Sequence, residues 1–350
     1  MAVRPGRIRL ADVARRAGVS ATTASYILNG RSAQMRISAQ TEQRVRQAAR
    51  ELDYRPNWSA RNLRRASTQT IGLISDFVAS GAFAGQFISG AGLAARSCDH
   101  LLVIGETLGD PETEQLLVRE MLARQVDGVV YATLTATRVR LPRELLGVRV
   151  VQLNCLDPRH PVPAVLPDDH GAGVAAAQHL LGVGLGRTCH VLGAEDEIET
   201  GAGRERVAGL VEGLSVAGHR LAGTVPCAWD VGPARQALDA WLASGNATEA
   251  LVCLNDRIAM GAYEALGRHR LRVPDDVSVL SFDGSELASW LEPALSSFAL
   301  PFHAMGSRAV QTLMDPGWHE AGVVRLPLEL RIGGSVRGAT ASPVVRAPAS

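Results

Sequence analysis

Two patterns of apolar residues meet in this chain: helical spacing near the amino end, and a strand-and-helix alternation beyond it. In the first, Leu10, Val13, Ala14 and Ala17 make one face of a short helix that Gly18 ends. Val19 follows the break and can drop beneath it into a core. Ser20 is a good N-cap for a second helix over 21–28, with Ala24, Ile27 and Leu28 facing inward. Asn29-Gly30 closes that helix with residues that tolerate left-handed backbone. Ser38 can cap a third helix with Val45, Ala49 and Leu52 at helical spacing. Two short helices joined by a tight glycine turn and backed by a third predict a helix-turn-helix.

From residue 70 the pattern changes. Short apolar runs over 71–75, 101–104, 128–131, 148–153, 189–192, 250–254 and 277–281 read as buried strands. Amphipathic stretches over 86–97, 112–124, 172–181, 204–217, 233–243 and 256–267 lie between them. This alternation predicts an α/β body of doubly wound parallel sheets. It is long enough for two lobes, with a ligand cleft at the carboxyl ends of the strands.

Composition narrows the classes. A chain of 350 residues, 46% hydrophobic and 20% charged, can bury a sizeable core. No apolar run is long enough to span a bilayer, and the basic start carrying Pro5 and Gly6 is no secretory signal, so a cytoplasmic protein without membrane contact is expected. The cysteines (98, 155, 189, 227 and 253) are scattered, and none forms a CxxC pair, a pattern that suits reduced thiols. The net charge of +1 hides a division. Residues 1–66 hold 14 Arg against Asp12, Glu42, Glu51 and Asp53, whereas the remainder holds 22 Arg and 31 acidic residues. A basic head on an acidic body suits a nucleic-acid-binding module joined to a sensor, because phosphate neutralisation supplies sequence-independent affinity. A solvated basic tail would give the same charge, so the pattern must decide.

The second helix exposes Ala21, Thr22, Ser25, Tyr26 and Asn29, with Ser20 at its start; small and hydroxyl-bearing side chains let a backbone approach base edges in the major groove. Pro56 stops the third helix, and Asn57 can cap a short fourth one carrying Arg61, Leu63, Arg64 and Arg65. Leu63 has no evident core to enter and suits a wedge between minor-groove base steps, flanked by Arg61 and Arg64 on phosphates. A flexible linker is the plainer reading of the same stretch, and both hold if it orders only on DNA.

The runs Leu10-Ala-Asp-Val-Ala-Arg-Arg-Ala-Gly-Val-Ser-Ala-Thr-Thr-Ala-Ser-Tyr-Ile-Leu-Asn-Gly30 and Tyr54-Arg-Pro-Asn57 resemble the lactose-repressor family of bacterial regulators, with Leu63 at its intercalating hinge leucine. By that resemblance Ala21, Thr22 and Tyr26 fall where the family chooses operator bases. Two departures stand out. Arg9 occupies the helix start that usually holds Thr or Ser, which predicts a weaker cap, and the 31–36 loop is longer by roughly three residues. In the body, Ile71-Gly-Leu-Ile74, Gln125-Val-Asp-Gly-Val129, Arg206-Val-Ala-Gly209, Leu254-Asn-Asp-Arg-Ile-Ala-Met-Gly-Ala262 and Val277-Ser-Val-Leu-Ser-Phe-Asp283 resemble family landmarks. The resemblance implies a core similar to periplasmic sugar-binding proteins, two lobes joined by three crossovers.

Polar and aromatic residues at predicted strand ends are the candidates for holding a small molecule, since carboxylate, amide and guanidinium groups bond hydroxyls and rings stack on sugar faces. By the same resemblance Arg206 and Asp256 align with the family's recurrent effector contacts, and Asn154, Trp229, Phe302, Asp76 and Phe83 with further pocket positions. Each has a plainer reading. Asp256 can cap the helix after it. Phe83 and Phe302 can be core, Trp229 can sit in a surface loop, and Arg206 can be a helix-surface arginine. Asp283 reads as an interlobe crossover residue rather than a ligand. Gly182-Val-Gly-Leu-Gly186 lacks dinucleotide spacing, and Gly201-Ala-Gly203 has no GK[ST] after it. Asp168-Asp-His170 is weak as a metal site and suits a helix start. No catalytic constellation is present.

The expectation is therefore a helix-turn-helix domain over 1–55, a hinge over 56–68, an effector core over 69–337 and a flexible tail over 338–350. Lobe 1 is expected over about 69–155 and 286–316, and lobe 2 over about 156–285 and 317–337. The implied function is a sequence-specific DNA-binding transcriptional repressor, not an enzyme, with no metal and no cofactor. Its partners are a pseudo-palindromic duplex operator, a sugar-like effector and a second copy of itself. The tail carries Pro343 and Pro348 and no leucine heptad, so dimers rather than tetramers are expected.

Overall fold

The computed structural model describes residues 8–54, 67–77, 85–193 and 201–338, and the chain divides into a unit ending at Thr68 and a larger one starting at Gln69. The expected hinge residues Asn57, Arg61, Leu63 and Arg64, the cleft candidate Phe83 and the tail beyond 338 lie outside the described residues.

The small unit holds α1 (Leu10–Ala17), α2 (Ala21–Leu28) and α3 (Ala39–Glu51). Ser20 Oγ accepts from Thr23 N at 3.0 Å and Ser38 Oγ from Thr41 N at 3.3 Å, so both hydroxyls cap as expected. Arg9 lacks such an oxygen, but the Asp12 carboxylate reaches back to its N–H at 2.9 Å and secures the start of α1. Gly18 turns the chain with φ +68°, and Val13, Ala14, Ala17, Ala24, Ile27, Val45 and Ala48 bury together. The innermost alanine of α3 is thus Ala48, with Ala49 packing beside it.

In the large unit β1 (Thr70–Ser75), β2 (Leu101–Glu106), β3 (Gly128–Arg138), β4 (Val150–Leu156), β5 (Ala164–Pro167) and β11 (Val323–Leu326) form a parallel sheet of order β11-β5-β4-β3-β1-β2. Helices α4 (Gly85–Ser97), α5 (Pro111–Ala123) and α11 (Phe302–Met314) accompany it. Ile71 and Leu73 point to one face with Phe87 and Met305, while Ile74 points to the other with Val118 and Met121. Burial on both faces is why the inner strands β1, β3 and β4 read as continuous apolar runs.

The second sheet, of order β12-β10-β9-β8-β6-β7, uses β6 (Cys189–Leu192), β7 (Gly223–Val225), β8 (Ala250–Cys253), β9 (Ser278–Asp283), β10 (Ser296–Ala299) and an antiparallel β12 (Glu329–Arg331). It is accompanied by α6 (Asp169–Gly182), α7 (Gly201–Val216), α8 (Val231–Ala243), α9 (Asp256–Arg268) and the short α10 (Leu287–Trp290).

Sheet membership moves the expected lobe boundaries. β5 belongs to the first sheet and β10 to the second, while β11 returns to the first. The chain therefore changes lobes near 168, 300 and 327, later than the expected 155, 285 and 316. The strands that carry these crossovers are three or four residues long, too short to show a period. One of them, β10, spends two of its four positions on buried serines.

Candidate functional site

In the small unit, α2 turns Ala24 and Ile27 into the core and leaves Ser20, Ala21, Thr22 and Asn29 exposed, with Ser25 and Tyr26 half-buried. Asn29 Nδ2 donates to the Ser25 carbonyl at 2.8 Å, tying the end of α2 back onto its own turn. The six candidates on this helix thus share the face away from the three-helix core.

In the large unit a cavity of about 570 Å³ lies between the lobes. Its first-lobe wall is made by Gln86 of α4, Leu134, Thr135 and Ala136 of β3, Asn154 of β4 and Phe302 of α11. Asp169, Arg206, Trp229, Asn255 and Asp283 line it from the second lobe. These groups stand at the carboxyl ends of parallel strands or on the helices that follow, where diverging connections leave a crevice.

Arg206 is at its centre. Its side chain is 3% exposed; Nε donates to Asp169 Oδ1 at 2.8 Å and Nη1 to the Leu254 carbonyl at 2.5 Å. The guanidinium lies 4.8 Å from the Phe282 ring and 5.9 Å from the Trp229 ring, within cation–π range. Nη2 donates to no described residue, so the planar fork keeps donors for a ligand. Helix proximity makes this geometry possible. A Cβ on Gly173 would meet the Arg206 carbonyl at 2.2 Å, and one on Gly209 the His170 carbonyl at 2.0 Å. Only glycines let α7 approach α6 closely enough for Arg206 to reach Asp169 at its first turn.

Trp229 does sit in the exposed loop between β7 and α8, but it is itself half-buried, and its Nε1 donates to the Gly193 carbonyl at 2.9 Å. A Cβ on Gly203 would approach Trp229 Cζ2 to 2.9 Å, so that glycine gives the indole its seat. Asn154 holds left-handed backbone (φ +59°), a conformation asparagine tolerates better than most. Its Nδ2 donates to the Thr133 and Leu134 carbonyls at 3.1 and 2.9 Å. Phe302 combines both readings made for it: it packs against Phe87, with ring centroids 4.4 Å apart, and also borders the cavity.

Two candidates are turned elsewhere. Asp76 accepts from Phe77 N at 2.6 Å and Leu134 N at 2.8 Å, bridging β1 to β3, and burial raises its carboxyl above the usual range. Asp256 accepts from Ser285 N and Oγ at 2.8 and 2.7 Å and from Ser297 Oγ at 2.7 Å. Burial raises this carboxyl too, against those donors. Neither Asp76 nor Asp256 borders the cavity. Nor does Asp256 cap α9: Asn255 does, through Oδ1 to Ile258 N at 2.7 Å, and Asn255 also borders the cavity. Leu-Asn-Asp offered two adjacent polar residues, and helix phase sends the first to the cavity and the second inward.

Besides Asn255, the charged cavity residues Asp169, Asp283, Glu286 and Arg331 were not read from the sequence as ligand groups. Asp169 read only as a helix-start residue. Asp283 does meet a crossover through its backbone, since its carbonyl accepts from Leu300 N at 3.0 Å, yet its side chain faces the cavity. Arg331 sits at the rim with Nη1 on the Gly284 carbonyl at 2.7 Å. A strand-end position after Ser-Phe was the available signal for Asp283; for Arg331, on a three-residue strand, there was none.

Among the described residues no group of His, Cys, Asp and Glu side chains has metal-binding geometry, and no helix is long and apolar enough to cross a membrane.

Comparison with known proteins bears on both units. Residues 9–57 match the family described as bacterial regulatory proteins, lacI family, and residues 177–336 match a periplasmic binding protein-like domain. An HTH-type transcriptional regulator in the aml 5' region of Streptomyces limosus is 32% identical over 352 residues, covering 96% of this chain and 95% of the relative. The sucrose operon repressor of Escherichia coli is 29% identical over 344 residues, covering 92% of this chain and 98% of the relative. Among solved structures, a lac repressor dimer bound to operator and the anti-inducer ONPF superposes with a TM-score of 0.77 at 23% identity, covering 94% of this chain and 98% of that one. The complex of the transcriptional regulator CelR with cellobiose gives 0.64 at 26% identity, covering 94% and 100%.

Proposed function

This chain belongs to the lacI family of bacterial regulatory proteins, DNA-binding transcriptional regulators, and on that premise we propose that it is a homodimeric cytoplasmic repressor controlled by a neutral, hydroxyl-rich sugar or sugar derivative. The observation that carries the effector half is the buried Arg206, fixed by Asp169 and Leu254 beside the Trp229 ring, with unspent donors facing a cavity of about 570 Å³. A cavity of this size suits a small ligand, and convergent polar groups with one aromatic face suit a sugar. The acids at its wall (Asp169, Asp283 and Glu286) outnumber Arg206 and Arg331, which favours a neutral ligand over an anionic one.

For the DNA half, the exposed face of α2 carries Ser20, Ala21, Thr22, Ser25, Tyr26 and Asn29, which we assign to the major groove, Ala21, Thr22 and Tyr26 choosing bases. Asn57, Arg61, Leu63 and Arg64 are assigned to the hinge, with Leu63 as the minor-groove wedge. One helix makes few base contacts, so two copies on half-sites a helical turn apart supply the specificity. Effector acts by binding one lobe arrangement better than the other and passing that difference to the hinge. No catalytic role is assigned to any residue.

The test is selection of bound sites from random duplexes by the purified chain, followed by release assays with sugars. A twofold-symmetric site bound in a salt-sensitive manner is expected, as is weakening by a sugar that Arg206→Ala no longer detects. Failure to prefer any symmetric site, with or without sugars, would refute the proposal. Leu63→Ala should weaken this site far more than random DNA; equal losses on both would remove the wedge.

A further inference from the structure

Three of the four acids in residues 1–66 are held by arginines of the same unit. Asp12 meets Arg15 at 3.0 Å, Glu51 meets Arg16 at 2.8 Å and Glu42 meets Arg46 at 2.6 Å. Arg31 and Arg36 are different: both are exposed, and among the described residues neither has an acid partner. They bracket the loop that exceeds the family pattern by roughly three residues. That loop is a closed turn, not a slack connection. Arg31 N donates to the Tyr26 carbonyl at 2.9 Å, seating the loop on the last turn of α2. Met35 N donates to the Arg31 carbonyl at 3.1 Å and Ile37 N to the Ser32 carbonyl at 2.9 Å. Ser32 is buried and Ile37 packs on the three-helix core, so the turn is anchored from beneath.

Between the two arginines the turn exposes Ala33, Gln34 and Met35, the last to 46%. Arg36 takes left-handed backbone at φ +51°, where a long side chain is uncommon. One exposed methionine is too little apolar surface for the core of a protein interface. Two unpaired cations on one anchored turn match instead a backbone that carries a charge at every nucleotide. The length of α3 decides where on that backbone they fall. Its 13 residues, about 20 Å of helix, separate the turn from Leu52, after which the chain leaves for the hinge. With the hinges of two copies meeting at the centre of a symmetric site, the turn stands at the outer end of each half-site.

We propose that the 31–36 turn is a separate flank clamp: Arg31 and Arg36 take phosphates outside the bases that α2 reads, and Met35 rests on the sugar between them. The inference rests on the reading of the head as a DNA-binding module and specifies how far the bound site extends. Guanidinium forks bond phosphate oxygens in pairs, a geometry that a compact ammonium does not offer. Contacts of this kind fix position on the duplex and carry no base information. The bound duplex therefore runs past the bases chosen by α2 at both ends. Its flanks are needed for their charge, whatever their sequence.

The test uses the full chain and the site recovered by selection from random duplexes, prepared with long arbitrary flanks and again trimmed to the selected bases. Fluorescence anisotropy over a salt series gives the affinity and its salt exponent for each duplex. Wild type should bind the long duplex more tightly and with the steeper exponent. Arg31→Ala combined with Arg36→Ala removes four phosphate contacts from a dimer, so on the long duplex the exponent should fall by about 3–4. On the trimmed duplex the variant should match wild type. Both side chains are exposed and unpaired, so its melting temperature should stay at the wild-type value. Equal binding of the two duplexes by wild type overturns the proposal, and this arm holds however the variant folds. An equal loss by the variant on both duplexes also overturns it, since general charge would then account for the effect. If wild type binds no duplex at all, the DNA-binding reading fails; if it binds and the flanks are immaterial, only the clamp falls.

Discussion

Replacing Arg206 by leucine tests whether the cleft is a dry polar site or a water-screened surface. The wild-type pair is closed off: the side chains of Arg206 and Asp169 are 3% and 5% exposed, with the Nε–Oδ1 bond at 2.8 Å. Leucine removes the one cation that is buried in contact with this cluster among the described residues and leaves Asp169 without its charge partner. Stranding one partner of a buried pair costs about 3–5 kcal/mol. Lost cation–π contact with Phe282 and Trp229 adds about 1 kcal/mol, which leucine offsets by packing between the same rings. The expected loss is thus about 3–5 kcal/mol near neutral pH. Asp169→Leu added to Arg206→Leu should recover most of it, because an apolar pair of similar volume is often neutral. Urea unfolding followed by circular dichroism measures both variants. A single substitution costing under about 1 kcal/mol, or a double variant no more stable than the single, would show that water screens Arg206.

Three further outcomes are expected. Gly209→Ala should force α7 away from α6 by about 1 Å, because its Cβ would meet the His170 carbonyl at 2.0 Å. The cost is about 1–3 kcal/mol, and a matching loss of effector response is expected although the residue does not border the cavity; thermal melts and sugar titration read the two. Asp283→Asn should stabilise the ligand-free protein more at about pH 8 than at about pH 5. The folded carboxyl lies above its unfolded value, so the cost of ionising it builds as pH rises from the unfolded value to about 7 and is full above that; equal shifts in melting temperature at the two pH values would contradict this. Ser20→Ala should remove the acceptor of Thr23 N and cost α2 about 1 kcal/mol, seen as faster hydrogen exchange along 21–28.

What the amino-acid order determined by itself was local. Ser20, Ser38 and Gly18 act on neighbours three or four residues away, so α1, α2 and α3 and their inward faces were legible from residue order alone. The alternating body and the central strands were equally readable, because burial on both faces leaves unbroken apolar runs. Arg206, Trp229, Asn154 and Phe302 were picked out as pocket residues from the resemblance, and all four border the cavity. The strands beside the crossovers were not legible: β5, β10, β11 and β12 are too short to carry a period. Their pairing joins residues as distant as Val323 and Ala164, which no local signal encodes.

Nor could the sequence decide between Asn255 and Asp256, two neighbours of similar chemistry. Helix phase and the hydroxyls of the half-buried Ser285 and the buried Ser297, contributed from beyond β9, turn Asp256 inward. Asp283 shows the same limit. Its chemistry depends on Arg206, Asp169 and Asp256 arriving from three other helices, and only folding sets how many donors each carboxyl receives. Short-range capping and patterning live in the chain, whereas the share-out of one guanidinium among several acids is a property of the packed molecule.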